Sequence, residues 1–408
     1  MTEEAPSWLN MDFIENILRK SKKDDSIRVV DMFTKPATAK GDNYASDMYR
    51  VTVDISRRRG NRDVTEKKSL VVKIAPTGET LRRELIEKAE IFDTEISMMG
   101  NTLKKMNDLL EPEHRLNGRV FHVQKEHPAF LVIEDLATLG FRMANRQAGL
   151  DLTHCMMAIR GLARFHAASV AVCEKEPNQK KLYTKGMYSD QHPPELMSFF
   201  VLSLKALAAE TRKLPDIGPK YADKFDKLSE CLYDKCVEVA RLREDRFNVL
   251  NHGDFWVNNM MFRYNDEGQP IGHIFVDFQM CVYSSPALDL QYFLNTSANE
   301  KVYENDKDRL LKEYLDTLTS KMKQLGCKTV PPTFEELRSD FKEKEILGMM
   351  SSFTVLPLLL LDKSEARDLD SYIDKDGVAD NPAVANKAYQ NVLRKRLPVY
   401  ERLGFLDL

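Results

Sequence analysis

The stretch VLNHGDFWVNNMMF, Val249–Phe262, sets a histidine, an aspartate and an asparagine in one polar knot between apolar flanks. Burying so many hydrogen-bonding groups is costly unless each finds a partner. Two readings are open. One is a structural turn in which Asx side chains cap backbone amides. The other is a site where a carboxylate and an amide face a metal ion and a substrate. The spacing is His252-x-Asp254, with Asn259 five residues after the aspartate.

The next motif bears on the choice. In IFVDFQ, Asp277 ends a run of β-branched and aromatic residues. A carboxylate there is expensive to desolvate unless it faces a cation or donors; the plainer alternative is an Asp capping the following turn. Asp277 lies 277 − 259 = 18 residues after Asn259, and the segments between them suit a β-hairpin through YNDEGQP. Such a hairpin brings the Asn259 amide oxygen near the Asp277 carboxylate. Two hard oxygen ligands, with room for phosphate oxygens and waters, are how Mg²⁺ is usually held.

Upstream, a short amphipathic helix (Trp8, Leu9, Phe13, Ile14, Ile17, Leu18) precedes strand-like runs SIRVVDMF, DMYRVTVDI and KKSLVVKIA. A helical stretch is expected from about Glu79 to Leu110, then strands in GRVFHVQ and AFLVIEDL. From Asp151 the period changes from two to about 3.6, as in LTHCMMAIRGLARFHAASVAV. The fold class is therefore α+β and bilobal. A small N-terminal β-rich lobe (residues 1–136) meets a larger helical C-terminal lobe (residues 137–408) across a cleft, with no Gly/Ser/Pro linker between them.

Lys73 in SLVVKIAP has apolar neighbours. It is either an edge-strand lysine snorkelling to water or an ammonium held for an anion. In the second case it needs a carboxylate, and the following helix offers Glu95, with Glu84 and Glu90 as rivals. Ahead of the second strand, Gly41, Asn43 and Ser46 in KGDNYASDMYRV form a polar turn that could present N–H groups to phosphates; ordinary hairpin turns look the same.

Composition excludes several classes. The 408 residues are 43% hydrophobic and 30% charged with net charge −3, which gives no general attraction to nucleic acid or anionic lipid. The basic run SRRRGNR reads as a solvated hairpin turn around Gly60. Six cysteines form no CxxC pair, and the apolar run FTVLPLLLL is broken by Pro357 and too short to span a bilayer. The start, MTEEAPSWLN, is acidic where a signal peptide is basic. A reducing cytoplasm is the expected setting, with no membrane and no nucleic acid as partner; oligomeric state is not readable.

The spacing of His252, Asp254 and Asn259 is that of the kinase catalytic loop, and a lysine on the third strand is where the same template grips the α/β-phosphates. GDNYAS, VVKIAP, VIEDL, LARFHAAS, LNHGDFWVNNMMF, VDFQ and PALDLQYFL occur in that order within Pro6–Leu403. Together they resemble the insect ecdysteroid-kinase-like family, relatives of choline kinases and aminoglycoside phosphotransferases. The resemblance implies a bilobal protein-kinase-like fold and ATP-dependent phosphorylation of a small-molecule hydroxyl, with Mg²⁺. It implies that Asp254 accepts or orients the acceptor proton, that Asn259 and Asp277 hold Mg²⁺, and that Lys73, steadied by Glu95, holds the phosphates. The backbone of Glu134–Leu136 becomes an adenine-binding hinge, His252 supports the loop, and Asp289 accepts its backbone N–H bonds. His166 reads as a satisfied core histidine, and Phe255 and Trp256 as lobe packing.

One departure matters. Protein kinases carry Gly after the Asp-Phe pair, whereas this chain has Gln279, as does the family it resembles. YSSPALDL follows directly and no A-P-E appears, which speaks against a peptide acceptor. Two alternatives stay open: a choline/ethanolamine-type kinase, and a kinase-fold binding protein without turnover. The apolar helical lobe and the lack of a visible cage for a quaternary ammonium favour an ecdysteroid or hydroxylated xenobiotic as acceptor.

Overall fold

A computed structural model describes residues 5–37, 46–77, 81–362 and 382–407. Five antiparallel strands form the N-terminal sheet: β1 (Arg28–Pro36), β2 (Asp47–Arg59), β3 (Arg62–Ile74), β4 (Val120–Gln124) and β5 (Phe130–Glu134), in the order β1-β2-β3-β5-β4. Alternation in β2 explains its role, since Tyr49, Val51, Val53 and Ile55 are all buried on one face. Helix α1 (Met11–Lys22) lays Ile14, Ile17 and Leu18 against that face, and Trp8 stacks on Phe130 with ring centroids 4.9 Å apart.

The basic run forms the tip of the β2–β3 hairpin, with Arg59 opposite Arg62 and Gly60 at φ 61°. β3 is an interior strand, hydrogen-bonded to β2 on one side and β5 on the other. Lys73 is thus no edge residue, and at 3% exposure it cannot snorkel to water.

The long helix expected over residues 79–110 is broken. It resolves into α2 (Leu81–Lys88), α3 (Ile91–Ser97), a π turn Met98–Thr102 and α4 (Leu103–Asn107). The break falls at Glu90, whose φ of 54° lies in the left-handed region. A non-glycine residue there costs about 1–2 kcal/mol. Its carboxylate reaches Lys185 of the helical lobe at 3.0 Å, a tertiary contact that no local periodicity announces. Past the break, α3 turns Ile91, Phe92, Glu95 and Ile96 inward.

The sheet ends at Glu134, and a 3₁₀ turn, Leu136–Leu139, leads into the second part. There α5 (Leu152–Lys175) runs through the core, capped by Asp151, which accepts the His154 N–H at 3.0 Å. It packs on Lys307–Gln324, while helices α6 (Pro194–Arg212), α7 (Gly218–Ala240) and α8 (Ala287–Thr296) each pack on Glu345–Thr354. Short strands carry the quoted motifs. β6 (Phe141–Arg142), β8 (Met260–Tyr264) and β9 (Pro270–Phe275) form one sheet, and β7 (Val249–Asn251) pairs with β10 (Val282–Ser284). The expected β8–β9 hairpin turns at Gly268, φ 76°. Among the described residues no helix is long and apolar enough to cross a membrane.

Candidate active site

Lys73 is the meeting point of the two parts. Its Nζ lies 2.6 Å from Glu95 Oε2 and 2.9 Å from Asp277 Oδ1. Of the three glutamates considered for it, Glu95 is the one in contact; Glu84 lies 3.9 Å from Lys88, and Glu90 pairs with Lys185. Burial alone would lower the Lys73 ammonium, but Asp277 and Glu95 outweigh it and hold it above its usual range. Burial pushes the Glu95 carboxyl up, against the pull of Lys73 and of the Phe278 N–H.

The knot at 249–262 is a loop held from behind. Asp289, fully buried on α8, accepts the backbone N–H of His252 (2.7 Å) and of Gly253 (2.8 Å). His166 joins it, with Nε2 3.1 Å from the same carboxylate and Nδ1 2.7 Å from the Tyr314 hydroxyl. That core histidine therefore also anchors the loop's buttress. His252 Nε2 lies 3.1 Å from the Val276 carbonyl, tying the loop to the end of β9. Gly253 has φ 80°, and an added Cβ would collide with the Met280 carbonyl oxygen. Phe255 fills the aromatic core against Phe293 (4.9 Å) and Phe275 (5.5 Å), while half-buried Trp256 packs beside it.

At the loop's front, the Asn259 amide N–H₂ donates to the Asp254 carbonyl (3.0 Å) and to Asp254 Oδ2 (2.7 Å). Asp254 Oδ1 is buried and makes no hydrogen bond. Burial, and then the charge of Asp277, push the Asp254 carboxyl up to about 7, against the Tyr292 hydroxyl and the Asn259 amide. The Val276 N–H donates to the Asn259 carbonyl at 3.0 Å, so Asn259 and Asp277 flank one backbone link. Asp277 takes φ 67°, an unusual conformation for aspartate that turns its side chain toward Lys73.

Lys73, Glu95, Asn259 and Asp277 line a cleft of about 500 Å³ between the sheet and the helical part, whereas Asp254, held by Asn259, is not on its wall. The chain at Glu134–Leu136 forms another wall. The Glu134 carboxylate is taken by Arg115 (2.8 Å) and the Arg119 N–H (3.1 Å). Asp135, between the two hinge residues read from the sequence, carries more of the architecture. It accepts from Arg50 Nε (2.8 Å) and Ser69 Oγ (2.7 Å), locking the hinge to β2 and β3. Ser46 is buried just ahead of β2 and is not part of the cleft wall; Gly41 and Asn43 lie outside the described residues.

Among the described residues no cluster of three or more His, Cys, Asp or Glu side chains is arranged for a metal. The oxygen donors of the cleft are instead one amide and one carboxylate. Asn259 spends its N–H₂ on Asp254, which leaves its oxygen to accept, and Asp277 gives only Oδ1 to Lys73. That donor set fits a hard cation that keeps phosphate oxygens and waters as its other ligands.

Residues 40–327 match the model of the ecdysteroid kinase-like family, and the chain belongs to that family. Among solved structures it is similar to macrolide 2'-phosphotransferase MphH from Brachybacterium faecium (10% identity, TM-score 0.35, covering 86% of this chain and 91% of that one). It is also similar to APH(2")-IIa in its streptomycin–ATP ternary complex (14%, TM-score 0.39, 88% and 98%). A third is amicoumacin kinase hAmiN in complex with AMP-PNP, Ca²⁺ and Ami (14%, TM-score 0.39, 92% and 93%). No curated protein matches the sequence. By its family membership the chain is a small-molecule phosphotransferase acting on a hydroxyl group.

Proposed function

We propose that the protein is an ATP- and Mg²⁺-dependent kinase whose acceptor is an uncharged alcohol, an ecdysteroid or a hydroxylated xenobiotic. The observation that carries the reading is the convergence of Lys73, Glu95, Asp277 and Asn259 on one cleft, with Asp254 bound to Asn259 next to it, through the contacts Lys73–Glu95, Lys73–Asp277 and Asn259–Asp254. Residues 1–136 then act as the nucleotide lobe, with the Glu134–Leu136 backbone facing adenine. Residues 137–408 supply the loop and the acceptor pocket. Six cysteines, all unpaired, support a reducing, cytoplasmic setting.

In the reaction, the acceptor oxygen bonds to the γ-phosphorus while the bond from that phosphorus to the β–γ bridging oxygen breaks. ADP leaves with the bond's electron pair, and the acceptor proton passes to Asp254 Oδ1, the oxygen with no partner. Asn259 orients Asp254 through Oδ2. Lys73 gives up part of its contact with Asp277 to neutralise phosphate charge, and Glu95 keeps it in place. Mg²⁺ held by Asn259 and Asp277 would neutralise charge on the phosphates.

Purified protein with Mg·ATP, screened against ecdysteroids, hydroxylated plant compounds, choline and ethanolamine, tests the proposal. Phosphorylation of an uncharged alcohol is expected, abolished in folded Asp254→Asn and Asp277→Ala. Wild-type rates in either variant would overturn it.

A further inference from the structure

Against the catalytic loop at Gly253 lies a second and smaller cavity of about 190 Å³, whose lining shares no residue with that of the larger cleft. Five separated segments build it, among them the loop at Thr184–Gln191, the end of α7, β10 with the start of α8, and the helix Glu345–Thr354. Gly253 of the catalytic loop and Tyr292 of α8 close its inner end. The Tyr292 hydroxyl is directed at the Asp254 carboxylate. Asp254 itself lines neither cavity; it is linked to the larger through Asn259, which donates to Oδ2, and to the smaller through Tyr292, and its Oδ1 is buried and unpartnered.

The walls have a definite chemistry. Val282, Leu288 and Leu347 are apolar, and Tyr188 and Ser351 bring hydroxyls. The Tyr188 hydroxyl is buried and faces Ser351 without forming a well-aligned hydrogen bond. Each charge around the cavity is matched by a protein partner: Lys185 by Glu90 at 3.0 Å, and Arg241 by Asp190 at 3.4 Å. Apart from Asp254, whose carboxylate is engaged with Asn259 and Tyr292 and is assigned to the hydroxyl proton, no carboxylate around the cavity is left to meet a cationic ligand, and no ammonium to meet an anion. The volume holds roughly six waters, below the roughly 300–1,000 Å³ of pockets that enclose drug-sized molecules.

We propose that this cavity is the acceptor site, and that it selects an uncharged alcohol presenting its hydroxyl on a compact apolar end no larger than a single ring, with Tyr292 as the residue that positions Asp254 and the incoming hydroxyl. The inference deepens the kinase reading and rests on it for the role of Asp254. It narrows the acceptor class: quaternary ammonium alcohols and polycationic sugars are excluded, because a buried cation without a counter-charge is costly. A larger acceptor enters end-on, with its bulk outside.

Choline and its neutral carbon isostere 3,3-dimethylbutan-1-ol differ in charge but hardly in shape. Binding of each to the full chain, without nucleotide, is followed by ligand-observed NMR. The neutral alcohol is expected to bind at least tenfold more tightly, and Ser351→Leu or Leu288→Phe, each checked for an unchanged melting transition, should abolish that binding. Equal or tighter binding of choline, binding by neither, or binding untouched by both variants overturns the proposal. This arm needs no turnover, so its failure is distinct from failure of the kinase reading, which shows as absent Mg·ATP-dependent phosphorylation of every alcohol. In the turnover arm, Tyr292→Phe should lower kcat about tenfold with KM for ATP unchanged; a parallel rise in KM for ATP, or no change in kcat, removes the positioning role from Tyr292.

Discussion

The two cavities that Asp254 reaches through Asn259 and through Tyr292 are built on opposite principles. On the nucleotide side, an ammonium sits between two carboxylates at 2.6 and 2.9 Å, and the walls carry an amide and a hinge tied down by Arg50 and Arg115. On the other side, the charged groups pair with one another and leave an interior of aliphatic carbon and hydroxyls. A triphosphate with its metal needs opposing charges that rearrange when it arrives, whereas an uncharged alcohol needs their absence. Asp254 is pushed up to about 7 by burial first and by Asp277 second, so the charged side adds to a shift that burial dominates.

The sharpest break of this comparison is Asp254→Asn, which removes the carboxylate that Asn259 of one cavity and Tyr292 of the other both meet. Turnover should fall by about 10²–10⁴-fold. Nucleotide and alcohol binding, measured separately by calorimetry, should both survive; loss of either would mean that Asp254 shapes that cavity too. Next is Lys73→Met, which alters one side only. Losing a charge-assisted contact of about 1.5–3 kcal/mol should lower kcat/KM for ATP by roughly 10–150-fold. Acceptor binding should be unchanged, and a matching loss there would erase the division.

The smallest effect concerns the scaffold behind the loop. Burial first, then Arg164 and His252, hold His273 down at about 3, and burial lowers His166 as well. Their folded values lie below the ordinary histidine value near 6.5, so the unfolded chain binds the extra protons. Stability from keeping them neutral is therefore complete above about pH 6.5 and is lost as pH falls toward 3, at up to about 1.4 kcal/mol per pH unit for each histidine. Urea midpoints between pH 7.5 and 5 measure the slope. His273→Gln should make it shallower by close to one proton; an identical slope would show that His273 does not carry the acid sensitivity.

The charged side was legible in the sequence because its residues announce themselves locally. Asp254 and Asn259 lie five positions apart, Asp277 follows a hairpin, and Lys73 interrupts an apolar strand. Alternation in β2 and the change of period near Asp151 likewise made the two-part architecture readable. The neutral side was not legible. Tyr188, Tyr292 and Ser351 are ordinary residues at helical or loop spacing, and only packing brings them together. The break at Glu90 escaped for a related reason, since its left-handed backbone accompanies a contact with Lys185 almost a hundred positions away. The role of Asp135 has no local signature, since Arg50 and Ser69, its partners, sit on strands far upstream.

Gly253, on the wall of the smaller cavity, is pressed against the segment that follows Asp277 of the larger one. Its backbone touches the Met280 carbonyl so closely that only hydrogen fits between them. The base-bearing loop and the segment after Asp277 therefore cannot be respaced independently. Even an alanine at position 253 would wedge them apart, and the damage would appear as a misaligned reaction in an otherwise intact protein.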